Sequence, residues 1–232
     1  MAKRKVTSEA KESITDEMPL VSVLLCQRNC RELAQKLAIP SCLQQDYPNI
    51  EIVVVEDGSE SILDLVENIP NLVYLQHPAN NLSQKRNAGI RAAHGEIIVH
   101  LDADDWSGPH RVSDQVEMLR ANPETQIAGY GKALWFDFVT GKASHYRGSP
   151  WGASIAYRRE YALAHPWNET VSLAEDGPFI NGTPCVSKDG AQNFVATLHT
   201  KNARRAAVGM PDFWPFVELR QLPEGFRRAA GI

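Results

Sequence analysis

Long apolar runs are missing from this 232-residue chain, and so is any strong excess of charge. No stretch approaches the roughly 20 apolar residues that a bilayer-spanning helix needs, so a transmembrane protein is not expected. No basic-then-apolar leader opens the sequence, and a signal peptide is not expected either. The net charge of -4 is no electrostatic footprint for a dedicated nucleic-acid binder. Cysteine is scarce. Cys26, Cys30, Cys42 and Cys185 are too few for a disulfide framework in a chain this long. The spacing of the first three matches no zinc knuckle and no histidine lies among them. Reduced thiols are therefore expected, in a cytoplasmic, soluble protein or one peripheral to a membrane. No internal repeat is visible.

What is present is an ordinary globular composition, 43% hydrophobic, enough for a sizeable core in one large α/β domain or two small ones. Residues from Met1 to about Pro19 are charged and aperiodic and read as a mobile tail. Strand-like and helix-like segments then alternate. Strands are expected at Leu20 to Leu25, Ile50 to Val55, Leu72 to Gln76 and Ile97 to Leu101. Helices are expected at Arg31 to Gln45, kinked or restarted by Pro40, and at Ile62 to Val66, Leu82 to Ala93 and Arg111 to Arg120. Continuous rather than alternating apolar strands indicate a mostly parallel sheet with helices on both faces. After about Gln126 the pattern is mixed. It predicts a hairpin of Lys132 to Val139 and Lys142 to Tyr146 around Thr140-Gly141, a short helix at Arg158 to Ala164 and a strand at Phe194 to Leu198. The C-terminal stretch, rich in Pro, Trp, Phe and Arg, yields no assignment.

One segment concentrates the chemistry. Gly95-Glu96-Ile97-Ile98-Val99-His100-Leu101-Asp102-Ala103-Asp104-Asp105 is an apolar run that ends abruptly in three carboxylates. Burying them without a counter-charge is costly, which places them at the strand's C-terminal end, facing a cation or polar ligand. In open α/β sheets that is where ligands bind. Hard oxygen donors there suit Mg2+ or Mn2+. The plainer alternative is an acidic turn that caps the next helix.

Several segments together resemble glycosyltransferase family 2. Val21-Ser22-Val23-Leu24-Leu25, Asn29 and the run from Ser41-Cys42-Leu43-Gln44-Gln45-Asp46-Tyr47-Pro48 to Val55-Glu56-Asp57-Gly58-Ser59 resemble its opening half. Arg86-Asn87-Ala88-Gly89-Ile90, Gly95-Glu96 and Leu101-Asp102-Ala103-Asp104-Asp105 continue it in order, and Trp167-Asn168-Glu169 and Glu175-Asp176 resemble its second acidic motif. The resemblance is strong over residues 20 to 110, moderate to His199 and absent in both tails. It implies a GT-A fold, an α/β architecture with a Rossmann-like sheet and a smaller mixed acceptor-side region. On this reading a tail at 1–19 precedes a single catalytic domain at 20–202. Residues 20–125 form its nucleotide-binding half and 126–202 its acceptor-side half, and an extension follows at 203–232.

The resemblance also implies an activity. It is transfer of a sugar, with inversion, from a nucleotide-diphosphate sugar to an acceptor hydroxyl, with a uridine nucleotide favoured and Mn2+ or Mg2+ as cofactor. The acceptor class, whether glycan, lipid, protein or nucleic-acid base, is open, as is the oligomeric state. Asp104 and Asp102 would hold the cation, with His199 approaching it, and a metal there would neutralise charge on the diphosphate leaving group. Cys26, Asp57, Arg86 and Trp151 would contact the donor. Asp57 would accept a hydrogen bond from the base, Arg86 would approach the diphosphate or pair with Asp57 or Asp102, and Trp151 would stack on the sugar. Asp176, with Glu175 beside it, would be the general base, unless Asp176 merely caps a helix. Asp105 reads as a supporting residue. Arg204-Arg205 and Arg227-Arg228 read as solvated charges or as contacts to an anionic acceptor.

Two other classes share part of the pattern. A sugar nucleotidyltransferase also sets carboxylates at strand ends around Mg2+, but carries a Gly-rich basic loop where this chain has Cys26-Gln27-Arg28-Asn29. A non-catalytic domain that binds a glycan or a partner would have no need of Asp57, Asp102, Asp104 and Asp176 together.

Overall fold

Four parallel strands form one half of the sheet, in the spatial order Leu72–Gln76 (β3), Ile50–Glu56 (β2), Val21–Gln27 (β1) and Ile97–Asp102 (β4). The structure is a computed structural model, described over residues 18–79, 81–171, 173–201 and 215–232. The tail expected before Pro19 falls almost wholly outside those residues, as do Asn202 and Arg204-Arg205. The chain builds outward from β1 to β2 and β3, then crosses back to lay β4 on the other side of β1. That reversal opens a crevice at the carboxyl ends of β1 and β4, the topological switch point where α/β sheets take ligands. The register sets Cys26 between Val55 and Asp102 there.

Alternate residues of these strands project to opposite faces. Val21, Val23 and Leu25 pack with Ala34, Ala38, Val112 and Leu119, whereas Leu24, Val53 and Val55 pack with Ile90, Ala162 and Trp167. Helices α2 (Ile39–Leu43), α3 (Leu63–Val66) and α5 (Arg111–Ala121) supply the first face and α4 (Leu82–Ala92) the second, whereas α1 (Arg31–Leu33) buries no residue. Both faces are dry, which is why the strands read as unbroken apolar runs. The break expected near Pro40 is a π-helical turn, Ala34–Ala38, between α1 and α2. Pro40 has no N–H for the carbonyl one turn back, and the wider turn absorbs that missing bond.

The other half is mixed. β5 (Trp106–Ser107), β6 (Ile127–Asp137), β7 (Lys142–Arg147), β8 (Ile155–Arg158), β9 (Cys185–Asp189), β10 (Phe194–Leu198) and β11 (Phe216–Val217) join the same sheet. The expected hairpin is β6–β7, closed at Gly141, whose φ of +67° suits glycine. β6 begins earlier than expected, at Ile127, because its first residues pair with β8 and β9. β8 lies antiparallel between β4 and β6 and stitches the two halves together. Among the described residues, helices α6 (Arg159–Ala164), α7 (Asp176–Ile180) and α8 (Glu224–Ala230) follow. The last of these lies in the stretch that sequence left unassigned, with Phe226 fully buried against Trp106 and Phe136. Arg228 on α8 pairs with Glu224 at 2.8 Å. No helix among the described residues is long and apolar enough to cross a membrane.

Candidate active site

One edge of the crevice is built by the turn after β2 and by α4. Asn29, at a φ of +52° just past β1, accepts hydrogen bonds from Ser59 N at 2.8 Å and Glu60 N at 3.1 Å. This ties the Glu56-Asp57-Gly58-Ser59 turn to the end of β1. Asp57 has a fully buried side chain, with Lys85 Nζ 2.9 Å from Oδ1 and Arg28 Nη1 3.6 Å from Oδ2. Oδ2 has no hydrogen-bond partner among the described residues. A buried carboxylate oxygen with no donor is costly, and a ligand N–H delivered there would satisfy it. Cys26 is buried beside it, and burial, against the pull of Lys85 and Arg86, pushes its thiol up to about 12. It lies in the site as a neutral, packed sulfhydryl.

Helix α4 presents charge inward, against the habit of surface helices. Asn81 caps its N-terminus by accepting from Gln84 N at 3.0 Å, and Lys85, Arg86 and Asn87 are all buried. The pairing expected of Arg86 alone is divided. Lys85 takes Asp57, while Arg86, 2% exposed, donates to Glu175 Oε1 at 2.6 Å and lies 3.9 Å from Asp102 Oδ1. Its guanidinium sits 4.2 Å over the Trp167 ring. Asn87 fixes that tryptophan by accepting from Trp167 N at 3.0 Å and donating to Trp167 O at 2.9 Å and Glu169 Oε1 at 2.8 Å. The Arg-Asn pair and the Trp-Asn-Glu triplet, distant in sequence, are therefore one packed unit.

The acidic cluster lies at the end of β4, and carboxylate oxygens of Asp102, Asp104 and Asp105 approach within 4.8 Å of one another. Burial, opposed by Arg86 and reinforced by Asp104 and Glu175, lifts Asp102 to about 6. Asp105 is buried, accepts from Thr197 N at 2.7 Å, and is pushed well up by burial and by its two acidic neighbours. It ties the cluster to β10. Asp104 accepts from His199 Nε2 at 2.8 Å, and His199 Nδ1 accepts in turn from Lys201 N at 3.1 Å. A main-chain N–H can only donate, so the ring proton resides on Nε2 and points at Asp104. A cation bound at Nε2 would displace it.

The second acidic pair divides its labour. Glu175 occupies the N-cap position of α7, following Ala174 at a φ of +55°, and spends its carboxylate on Arg86. Asp176 is the first helical residue rather than the cap. Its Oδ2 accepts from Gly152 N at 3.1 Å and its Oδ1 from Gly177 N at 3.0 Å. Gly152 is packed so closely on Arg86 that an added Cβ would lie 2.8 Å from Nη2. Arg86 thereby touches Glu175, Asp102 and the loop that holds Asp176. Trp151 is half-buried in an aromatic cluster, with ring centroids 4.5 Å from Tyr146, 5.6 Å from Phe194 and 5.8 Å from Trp135.

Sequence reasoning did not single out Arg28, Lys85, His100 or Gly152. One signal was available: His100 is a polar residue inside an otherwise apolar strand, and such a residue in a dry sheet needs partners. The others are brought in by packing between segments far apart in the chain.

The chain matches the family described as glycosyl transferase family 2 over residues 22–169, well over half its length, and belongs to that family. The UDP-Glc:alpha-D-GlcNAc-diphosphoundecaprenol beta-1,3-glucosyltransferase WfaP of Escherichia coli is 27% identical over 148 residues, 60% of this chain and 57% of that protein. Staphylococcus aureus TarS 1–349 in complex with UDP-GlcNAc has a TM-score of 0.64 at 19% identity, over 81% of this chain and 61% of that one. The mannosyltransferase PcManGT from Pyrobaculum calidifontis, in complex with GDP-Man and Mn2+, has a TM-score of 0.60 at 18% identity, over 82% and 60%. These likenesses establish the GT-A fold. The chain spans about half the length of the curated relatives it matches.

Proposed function

We propose that this chain transfers a sugar from a nucleotide-diphosphate sugar to an acceptor hydroxyl, with inversion at the anomeric carbon and with Asp176 as general base. The observation that carries the reading is the arrangement around Arg86. One buried guanidinium meets Asp102 at the switch point, Glu175, and the glycine that donates to Asp176. Donor-side and acceptor-side carboxylates thus surround a single crevice.

The donor's base lies against Asp57. Its unpartnered Oδ2 suits a base with a ring N–H on its pairing edge, which uracil and guanine have and adenine and cytosine lack. We favour the uridine nucleotide. Asp104 and Asp102 would hold a divalent cation, Mn2+ or Mg2+, with His199 hydrogen-bonded to Asp104. Both carboxylates keep part of their surface open, 19% for Asp104 and 26% for Asp102. When bound, that cation supplies positive charge against the diphosphate as it departs. Arg86 balances Asp102 and Glu175, and so keeps the crevice from being a purely anionic site that would repel the donor. Asp176 takes the acceptor's proton. Both its oxygens receive main-chain hydrogen bonds, which fix the direction in which the carboxylate points. Trp151, in its aromatic cluster, forms the wall nearest the sugar.

A titration of the protein with UDP, GDP, CDP and ADP, with and without Mn2+, tests this reading by thermal shift, since a ligand that binds only the native state raises apparent stability. The expected result is a Mn2+-dependent shift with UDP that exceeds the others. Equal shifts for all four, or none, would overturn the nucleotide assignment.

A further inference from the structure

His100 is a histidine in the middle of a buried parallel strand, 2% exposed, two residues before the acidic cluster. Its ring is fully engaged. Nδ1 lies 3.0 Å from the carbonyl oxygen of Gly152, and Nε2 lies 2.6 Å from the Tyr157 hydroxyl. A carbonyl only accepts, so Nδ1 bears the proton and Nε2 accepts from Tyr157. One face of the ring stacks on Trp167 at 5.3 Å and 23°.

The residue that His100 grips is the one that holds Asp176. Gly152 gives its N–H to Asp176 Oδ2, receives the His100 proton at its carbonyl, and is packed against the guanidinium of Arg86. The short 3-10 turn Gly152–Ser154 is fixed further by Arg111, which donates to Ala153 O at 2.6 Å. Side chains of β4 and α5 thus converge on one loop whose Gly152 N–H is aimed at a carboxylate.

We propose that His100 is a positioning residue for Asp176. The ring pins the Gly152 carbonyl, and through Gly152 it sets where the Asp176 carboxylate stands relative to the acceptor. The proposal rests on the reading of Asp176 as general base. It makes a specific demand of position 100: a donor at the place of Nδ1, inside a sheet that would otherwise take any apolar side chain.

Three variants test it, each measured for transfer rate, donor KM, calorimetric nucleotide affinity and melting temperature. His100→Phe keeps the ring and its stack on Trp167 but removes the donor. It should lower kcat by about tenfold or more, as a base displaced by a fraction of an ångström does, with donor KM and nucleotide affinity unchanged. His100→Asn restores a donor near the Nδ1 position and should recover most of the lost kcat. Tyr157→Phe removes the hydroxyl that anchors Nε2 while the Gly152 carbonyl keeps the proton on Nδ1, so it should lower kcat less than His100→Phe does; where His100→Phe does not fold, His100→Leu takes its place. Unchanged kcat in a folded His100→Phe or His100→Leu protein would overturn the proposal. So would equal losses of kcat and nucleotide affinity, or a failure of His100→Asn to exceed His100→Phe. If Asp176→Asn itself turns over at the wild-type rate, the reading of the base fails first and separately.

Discussion

Arg86 on α4 donates to Glu175 at 2.6 Å and so joins that helix to the second acidic motif across 89 residues of sequence. Both partners are largely buried, and burial alone would press the guanidinium toward losing its charge. Asp102 and Glu175 outweigh that and hold it more firmly protonated than usual. A buried pair of this kind is weak evidence of net stability, but breaking it leaves an uncompensated charge. Glu175→Ala should therefore destabilise the protein by about 3–5 kcal/mol, read from urea unfolding. A loss under about 1 kcal/mol, the size of an exposed ion pair, would show that Glu175 does not anchor Arg86.

Asp57→Ala removes the acceptor whose second oxygen lacks a partner, and leaves Lys85 buried without its counter-charge. Affinity for the free nucleoside diphosphate should fall by about 1–3 kcal/mol in calorimetry. Unaltered affinity would make Asp57 a turn residue only.

Asp104→Ala should abolish the Mn2+-dependence of donor binding while the fold persists. Removing one member of a like-charged cluster relieves repulsion on Asp102 and Asp105, so the metal-free variant should melt no lower than wild type apart from the lost His199 hydrogen bond. Donor affinity that still rises with Mn2+ would remove Asp104 from the cation site.

Most of the parallel half of the sheet was legible. Its strands are continuous apolar runs, each followed by a helix, and local periodicity suffices to find such units. Asp57, Asp102 and Asp104 were legible for the same reason, since each stands where an apolar run stops. The second half was harder. β8 and β9 are short, and they exist because β6 and β4 offer them edges, a condition no local window contains. The site's inner supports were hidden in another way. Lys85 looks like a solvent-facing charge on an amphipathic helix until Asp57 arrives from elsewhere, and Arg86, singled out by resemblance, carries no local sign that its partner is Glu175. Gly152 looks like any loop glycine until Arg86 is packed against it.

Glu51 provides a pH-dependent test of the scaffold. It is 5% exposed and bridges β2 to the turn before β4, accepting from Ser22, from His94 Nδ1 at 2.9 Å and from the main-chain N–H groups of His94 and Gly95. Burial pulls its carboxyl up, but these donors prevail and leave it below the usual value of 4.5. A carboxylate depressed in the folded state contributes stability above its unfolded pKa and loses it as pH falls through the folded one. Glu51→Gln should therefore be less stable than wild type at pH 7, by about 1–3 kcal/mol, with the gap closing as pH drops below about 4. A gap that stays constant with pH would mean that the carboxylate's charge plays no part in that bridge.

The account stands most directly on the turnover of Asp176→Asn, measured as nucleoside diphosphate released from saturating donor, with product configuration read by NMR. Asparagine keeps the shape of the side chain and one acceptor for Gly152 N, but cannot take a proton. Donor affinity should survive, transfer should fall by about 10²-fold or more, and the wild-type product should carry the anomeric configuration opposite to the donor's. Near wild-type turnover, or a product that retains the donor's configuration, would contradict the assignment of Asp176 as the base of an inverting transfer.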